Sequence, residues 1–74
     1  MVYVEIETGE FVDGRGIGYS IHHWDVEHDG RKVKYMEYLG EFEQGSGYAD
    51  IDEAYQAGCE RMDRDYGKRN WRHV

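Results

Sequence analysis

The sequence predicts an α+β fold, a three-stranded antiparallel β-meander packed against one C-terminal α-helix. Three observations carry this. Residues 2–7 alternate, with Val2, Val4 and Ile6 on one side and Tyr3, Glu5 and Glu7 on the other, the period of a half-buried strand. Asp29-Gly30 separates two further strand-like runs and suits a tight hairpin, where Gly supplies positive φ cheaply. Ala49–Gly67 then switches to helical periodicity. Strands followed by a helix give the α+β class.

The first strand is expected over about 2–7, and Thr8–Gly16, with three Gly beside Asp13 and Arg15, as a loop. The second strand spans about 17–27 and the third about 31–38. With Asp29-Gly30 as the two loop residues, His28 faces Arg31, Val26 faces Val33 and Trp24 faces Tyr35. On the other side Glu27 meets Lys32, Asp25 meets Lys34, His23 meets Met36 and Ile21 meets Tyr38. Opposite charges across the ladder favour this register. Leu39–Tyr48 is expected to be a connection. The helix spans about 51–66, with Asp50 as N-cap and Glu53 completing a capping box. Its apolar stripe holds Ile51, Ala54, Tyr55, Gly58, Met62 and Tyr66, with Cys59 at the margin. Gly67 ends it, and residues 67–74 form a short basic tail.

A single helix covers one side of such a sheet. The side carrying Ile17, Ile21 and Met36, together with Val2, Val4 and Ile6, is the expected core. An aromatic patch around Trp24 and Tyr35 is then left open beside Tyr3, Glu5 and Glu7, unless a bulge near His22-His23 swaps the sets.

The 74 residues fit one domain. Two Trp, seven Tyr and two Phe make the chain too aromatic for a disordered acidic tail. The single Cys, Cys59, excludes an internal disulfide and a Cys-rich metal framework and suits a reducing cytoplasm. No apolar run has the length of a membrane span. The formal net charge is −7, which opposes direct contact with nucleic acid or anionic membrane. It is also uneven. Residues 1–30 carry Glu5, Glu7, Glu10, Asp13, Asp25, Glu27 and Asp29 against Arg15 alone.

No constellation points to catalysis, a cofactor or a metal. His22, His23, Asp25 and His28 offer zinc-type ligands, but alternation puts His22 opposite His23 and Asp25, and no second cluster closes a site. Cys59 sits mid-helix beside apolar residues, the setting of an inert thiol. Gly14, Gly16 and Gly18 lead into a strand, and lack the Lys and helix of a phosphate loop. Glu41 and Glu43 fall in the expected connection, where an acid–base pair has no pocket.

"YLGEF" (Tyr38–Phe42) followed by "DEAYQAGCERMD" (Asp52–Asp63) resembles the last strand and helix of ethylene-response-factor-type plant DNA-binding domains, and is similar to arm-binding domains of phage integrases. That resemblance covers roughly the second half of the chain. It implies three antiparallel strands on one helix. Those families read DNA with basic sheets, whereas strand one here shows Glu5 and Glu7. In size, acidity and lack of catalytic residues the chain is similar to the small inhibitors that phages make against bacterial nucleases, of the anti-CRISPR type.

The expected function is a non-catalytic inhibitor. It would bind a protein partner, a CRISPR–Cas effector subunit or another nuclease in the host bacterial cytoplasm, and block its nucleic-acid or protospacer-adjacent-motif site. The expected partner-binding residues are Glu5, Glu7, Glu10, Asp13, Glu41 and Glu43 as charged contacts, with Trp24 and Tyr35 as anchors. The chain would be a monomer or weak homodimer. The alternatives are a nucleic-acid-binding module using Lys32, Lys34 and the basic tail, and a homodimeric interaction domain.

Overall fold

The computed structural model describes the whole chain except the side chains of residues 41–44. Alternating residues pair β1 (Val2–Phe11) with β2 (Gly16–Asp29), and β2 with β3 (Lys32–Tyr48), both antiparallel. Helix α1 (Ile51–Tyr66) follows, and the chain returns as β4 (Trp71–His73). The order across the sheet is β3-β2-β1-β4. The expected three-stranded meander is thus corrected to a four-stranded mixed sheet, because β4 runs parallel to β1, pairing Val2 with Trp71 and Val4 with His73. The expected basic tail therefore completes the sheet. Its anchor is Trp71, whose indole N–H donates to Asp63 at 2.8 Å.

Glycine hid the length of the strands. β1 runs on to Phe11, through the region expected to be a loop, and Gly9 faces Gly18 across the ladder. A Cβ on Gly18 would lie 2.5 Å from the Phe11 ring and 2.1 Å from the Gly45 carbonyl oxygen. The absence of a side chain there lets the ring lie against the strand. The turn is confined to residues 12–15.

The second hairpin is one step out of the expected register. Gly30, at φ 62°, occupies the first loop position, so the loop is Gly30-Arg31 and Asp29 pairs with Lys32. That is the type II′ preference. Val26 then faces Tyr35 and Glu27 faces Lys34, so charges still match across the ladder. β3 continues through the expected connection to Tyr48. At four points it inserts an extra residue against β2. Met36, Leu39 and Gly47 occupy three of these bulges, and Gly47 takes φ 86°. Met36, expected in the core, is 58% exposed, and its neighbours along residues 27–39 are exposed as well. Bulges also make an edge strand a poor template for pairing with another chain.

Helix α1 starts where the capping residues require. The Glu53 N–H donates to Asp50 Oδ1 at 2.8 Å, and the Ala49 N–H donates to Glu53 Oε2 at 2.9 Å. Gly67, at φ 93°, closes the helix, its N–H donating to the Asp63 carbonyl. Ala54, Gly58 and Met62 are buried, whereas Ile51 and Tyr55, expected in the stripe, are exposed. The buried line is centred on the small residues that let the helix approach the sheet. An ion pair links Arg61 to Asp65 at 2.8 Å.

The core is Val4, Ile6, Tyr19, Ile21 and Met62, flanked by Val2, Tyr48, Ala57, Cys59, Tyr66 and Trp71. Gly58 sits at its centre, where a Cβ would come 2.9 Å from Ile6 Cγ2 and 3.3 Å from the Tyr19 ring. His23 lies on this same side, its ring 6.1 Å from that of Tyr66. Burial lowers its pKa from the ordinary 6.5.

Two outcomes follow for stability. In an open helix Gly→Ala gains about 1 kcal/mol. Gly58→Ala instead lowers stability by about 1 kcal/mol net, because overpacking costs about 1–3 kcal/mol. A urea midpoint that rises in this variant would refute the close seating of the helix. His23 favours its neutral form in the fold. Its contribution is therefore fully present above the ordinary histidine value and is lost as pH falls through the lowered folded value. Between about pH 8 and about pH 5, His23→Gln should lose less stability than the parent chain; equal losses would assign the acid sensitivity to other groups.

Candidate functional site

Alternation along β1 and β2 sorts the side chains onto two faces, and α1 covers only one. The other face is open. From β1 it carries Tyr3, Glu5, Glu7 and Phe11, and from β2 His22, Trp24, Val26 and His28. β3 adds Tyr35 and Tyr38 opposite Val26 and Trp24.

These groups form a connected row. The Trp24 ring lies 5.8 Å from Tyr35 and 5.5 Å from Tyr38, both tilted, the arrangement aromatic pairs prefer. Tyr38 also contacts His22, with ring centroids 5.7 Å apart and its hydroxyl 2.9 Å from His22 Nδ1. On the far side His22 Nε2 lies 3.5 Å from Glu7 Oε2. One imidazole thus lies between a tyrosine of β3 and a carboxylate of β1, its Nε2 without a hydrogen-bond partner among the described residues. Tyr3 hydrogen-bonds His28 through its hydroxyl and packs against that ring at 5.2 Å. Despite this contact the row is accessible: Tyr35 is 52% and Tyr38 45% exposed. The Trp24 indole N–H is shut off from solvent and has no acceptor among the described residues.

Pairing with β1 ends at Tyr3 and Trp24. Beyond that point β2 and β3 continue as a two-stranded arm to the Gly30-Arg31 turn, which contributes to the 42 × 23 × 17 Å dimensions. All of residues 27–39 are exposed. A two-stranded ribbon is marginally stable alone, so the aromatic row at its base helps hold the arm to the body.

The eight expected contact residues do not form one patch. Glu5, Glu7, Trp24 and Tyr35 share the open face. Glu10 pairs with Ile17 at a position of opposite alternation, so it belongs to the helix side of the sheet. Asp13 lies in the first turn, 2.7 Å from Arg15 Nε. The hydrogen bond from Arg15 holds its carboxyl below the usual carboxylate range, so this charge is already engaged. The side chains of Glu41 and Glu43 lie outside the described residues. The sequence reading did not include Tyr3, Tyr38, His22 and His28 among the contacts. Tyr3 was legible from its alternation with Glu5, but Tyr38 depended on the bulged register of β3.

Both lysines of the arm stand opposite an acidic residue. Lys32 faces Asp29 and Lys34 faces Glu27 in the ladder, which weakens the case for that hairpin as a phosphate-binding surface. The histidines do not converge: His22 and His28 are on the open face and His23 on the core side. Among the described residues no group of His, Cys, Asp and Glu gathers as metal ligands. Burial pushes the Cys59 thiol up, opposed by a hydrogen bond with Tyr55 and reinforced by Asp63 and Glu60, the reverse of an activated nucleophile. An open recess beside α1 is lined by Tyr48, Glu53, Gln56, Ala57 and Glu60, with no nucleophile or metal-type ligand cluster among the described residues. Among the described residues, no helix is long and apolar enough to cross a membrane.

Comparison of the chain with protein-family models, curated proteins and solved structures found no match.

Proposed function

We propose that the chain is a non-catalytic inhibitor that binds a CRISPR–Cas effector subunit, or a related nuclease, through the open face of its sheet. The observation that carries this is the placement of Glu5 and Glu7 beside a row formed by the half-buried Trp24 and the exposed Tyr35 and Tyr38. Rings at the centre of a surface and charges at its edge are the composition of a protein-binding patch. The net charge of −7 makes a cationic partner surface the complement. In an effector, the largest such surface is the one that holds nucleic-acid phosphates. Occupying it blocks the nucleic acid by charge and by bulk, with no reaction required. The site of action is then the cytoplasm of the bacterial host.

Tagged chain incubated with lysates of bacteria carrying CRISPR–Cas systems should capture an effector subunit, and the purified effector should lose DNA binding when the chain is in excess. The double charge reversal Glu5→Lys/Glu7→Lys should lower that affinity by about 100-fold or more, since each reversed contact costs about 1.5–3 kcal/mol. Its circular dichroism should match the parent, because both side chains are exposed. An effector that keeps its DNA in the presence of the chain overturns the reading. Normal binding by the double variant moves the contact elsewhere.

A further inference from the structure

The open face has two ends, and at one of them the chain shows what its chemistry prefers. There Phe11 lies flat against the strand, and the Arg15 guanidinium carbon sits 4.3 Å from the ring centroid. The same guanidinium pairs with Asp13 at 2.7 Å. Ring below and carboxylate at the edge together hold one arginine.

The other end has the same components in larger number. Glu5 stands directly opposite His22 across the β1–β2 ladder, which makes Trp24 its diagonal neighbour, about 7 Å away. Tyr38 lies beyond Trp24 in the same row, and Tyr35 extends it along the arm. Glu7 reaches the row beside His22, its carboxylate 3.5 Å from Nε2. Among the described residues Glu5 has no ion pair, and Glu7 has only the imidazole.

We propose that this end of the face binds arginine side chains of the partner protein, each guanidinium stacking on Trp24, Tyr35 or Tyr38 while pairing with the Glu5 or Glu7 carboxylate. The occupant is an arginine-rich protein segment. A guanidinium is planar, weakly hydrated and forked, so it satisfies a ring face and a carboxylate together. An ammonium is also drawn to a ring face, but it is strongly hydrated and cannot lie flat on the ring while forking to a carboxylate, so it gains less there. The face therefore distinguishes arginine from lysine at equal charge. This inference rests on the open face being the contact surface proposed above, and it adds the side-chain chemistry recognised there.

Two fluorescent peptides of equal length test it, one alternating Gly with Arg and one Gly with Lys, together with a labelled single-stranded oligonucleotide, each titrated against the intact chain. The Arg peptide should bind about tenfold more tightly than the Lys peptide, the size of a stacking contribution. Tyr35→Leu and Tyr38→Leu should each bring the Arg peptide towards the Lys value and weaken the Lys peptide by a smaller factor. Tyr35→Leu keeps the test independent of the Tyr38–His22 bond. Glu5→Gln/Glu7→Gln should weaken both peptides equally. Equal binding of the two peptides, or binding of neither, overturns arginine recognition, while the effector capture described above judges the inhibitor reading by itself. Binding of the oligonucleotide in place of the peptides would overturn both.

Discussion

The seating of Gly58 on Ile6 and Tyr19 fixes how near the helix comes to the sheet, and the remaining architecture depends on that distance. A close helix buries Val4, Ile21 and Met62 completely with few residues, which a chain of this length needs. It also commits the only helix to one face. The opposite face must then be stabilised by its own side chains. It is, through a row of rings and imidazoles that pack against one another from β1 to β3.

That division explains why acidic and aromatic residues sit together. Aromatic rings on an unprotected sheet surface invite nonspecific contact, and carboxylates interleaved with them restrict which partners can approach. Glu5 and Glu7 lie on the same strand as the core residues Val4 and Ile6. A partner touching the carboxylates therefore presses on a rigid surface, and little ordering is required on this side of the contact.

The helix was legible almost to the residue, since Asp50, Glu53 and Gly67 mark its ends by local chemistry. The covered face was legible as well, because Val2, Val4 and Ile6 alternate cleanly. Strand lengths were not. Gly18 and Gly45 look like punctuation in a sequence, whereas in the sheet they make room for Phe11, Tyr19 and the β3 backbone. The register of β3 was hidden for a related reason. Bulges at Met36 and Leu39 break the period of two, so counting from the turn fails after a few residues. β4 could not be seen, because three residues carry no period and its pairing with β1 is set by distant contacts. Among the site residues, Glu5, Glu7, Trp24 and Tyr35 followed from alternation. Glu10 was misplaced because the strand was expected to end at Glu7, whereas its unbroken alternation carries Glu10 to the helix side, and Asp13 because its pairing with Arg15 is a turn contact.

The strand that completes the sheet lies far along the chain from the one it pairs with. Asn70 accepts from the Val2 N–H, and the Val74 N–H donates to Val4, so one edge of β1 stays bare until residues 71–74 have been made. The two hairpins close over short loops, but this ladder joins residues 2–4 to residues 71–73, a slower step with a larger entropic cost. Until it forms, a strand rich in valine and isoleucine is open to neighbouring nascent chains. Acidic residues at alternate positions of that strand repel such neighbours, so the charges on the open face also guard the molecule during its assembly.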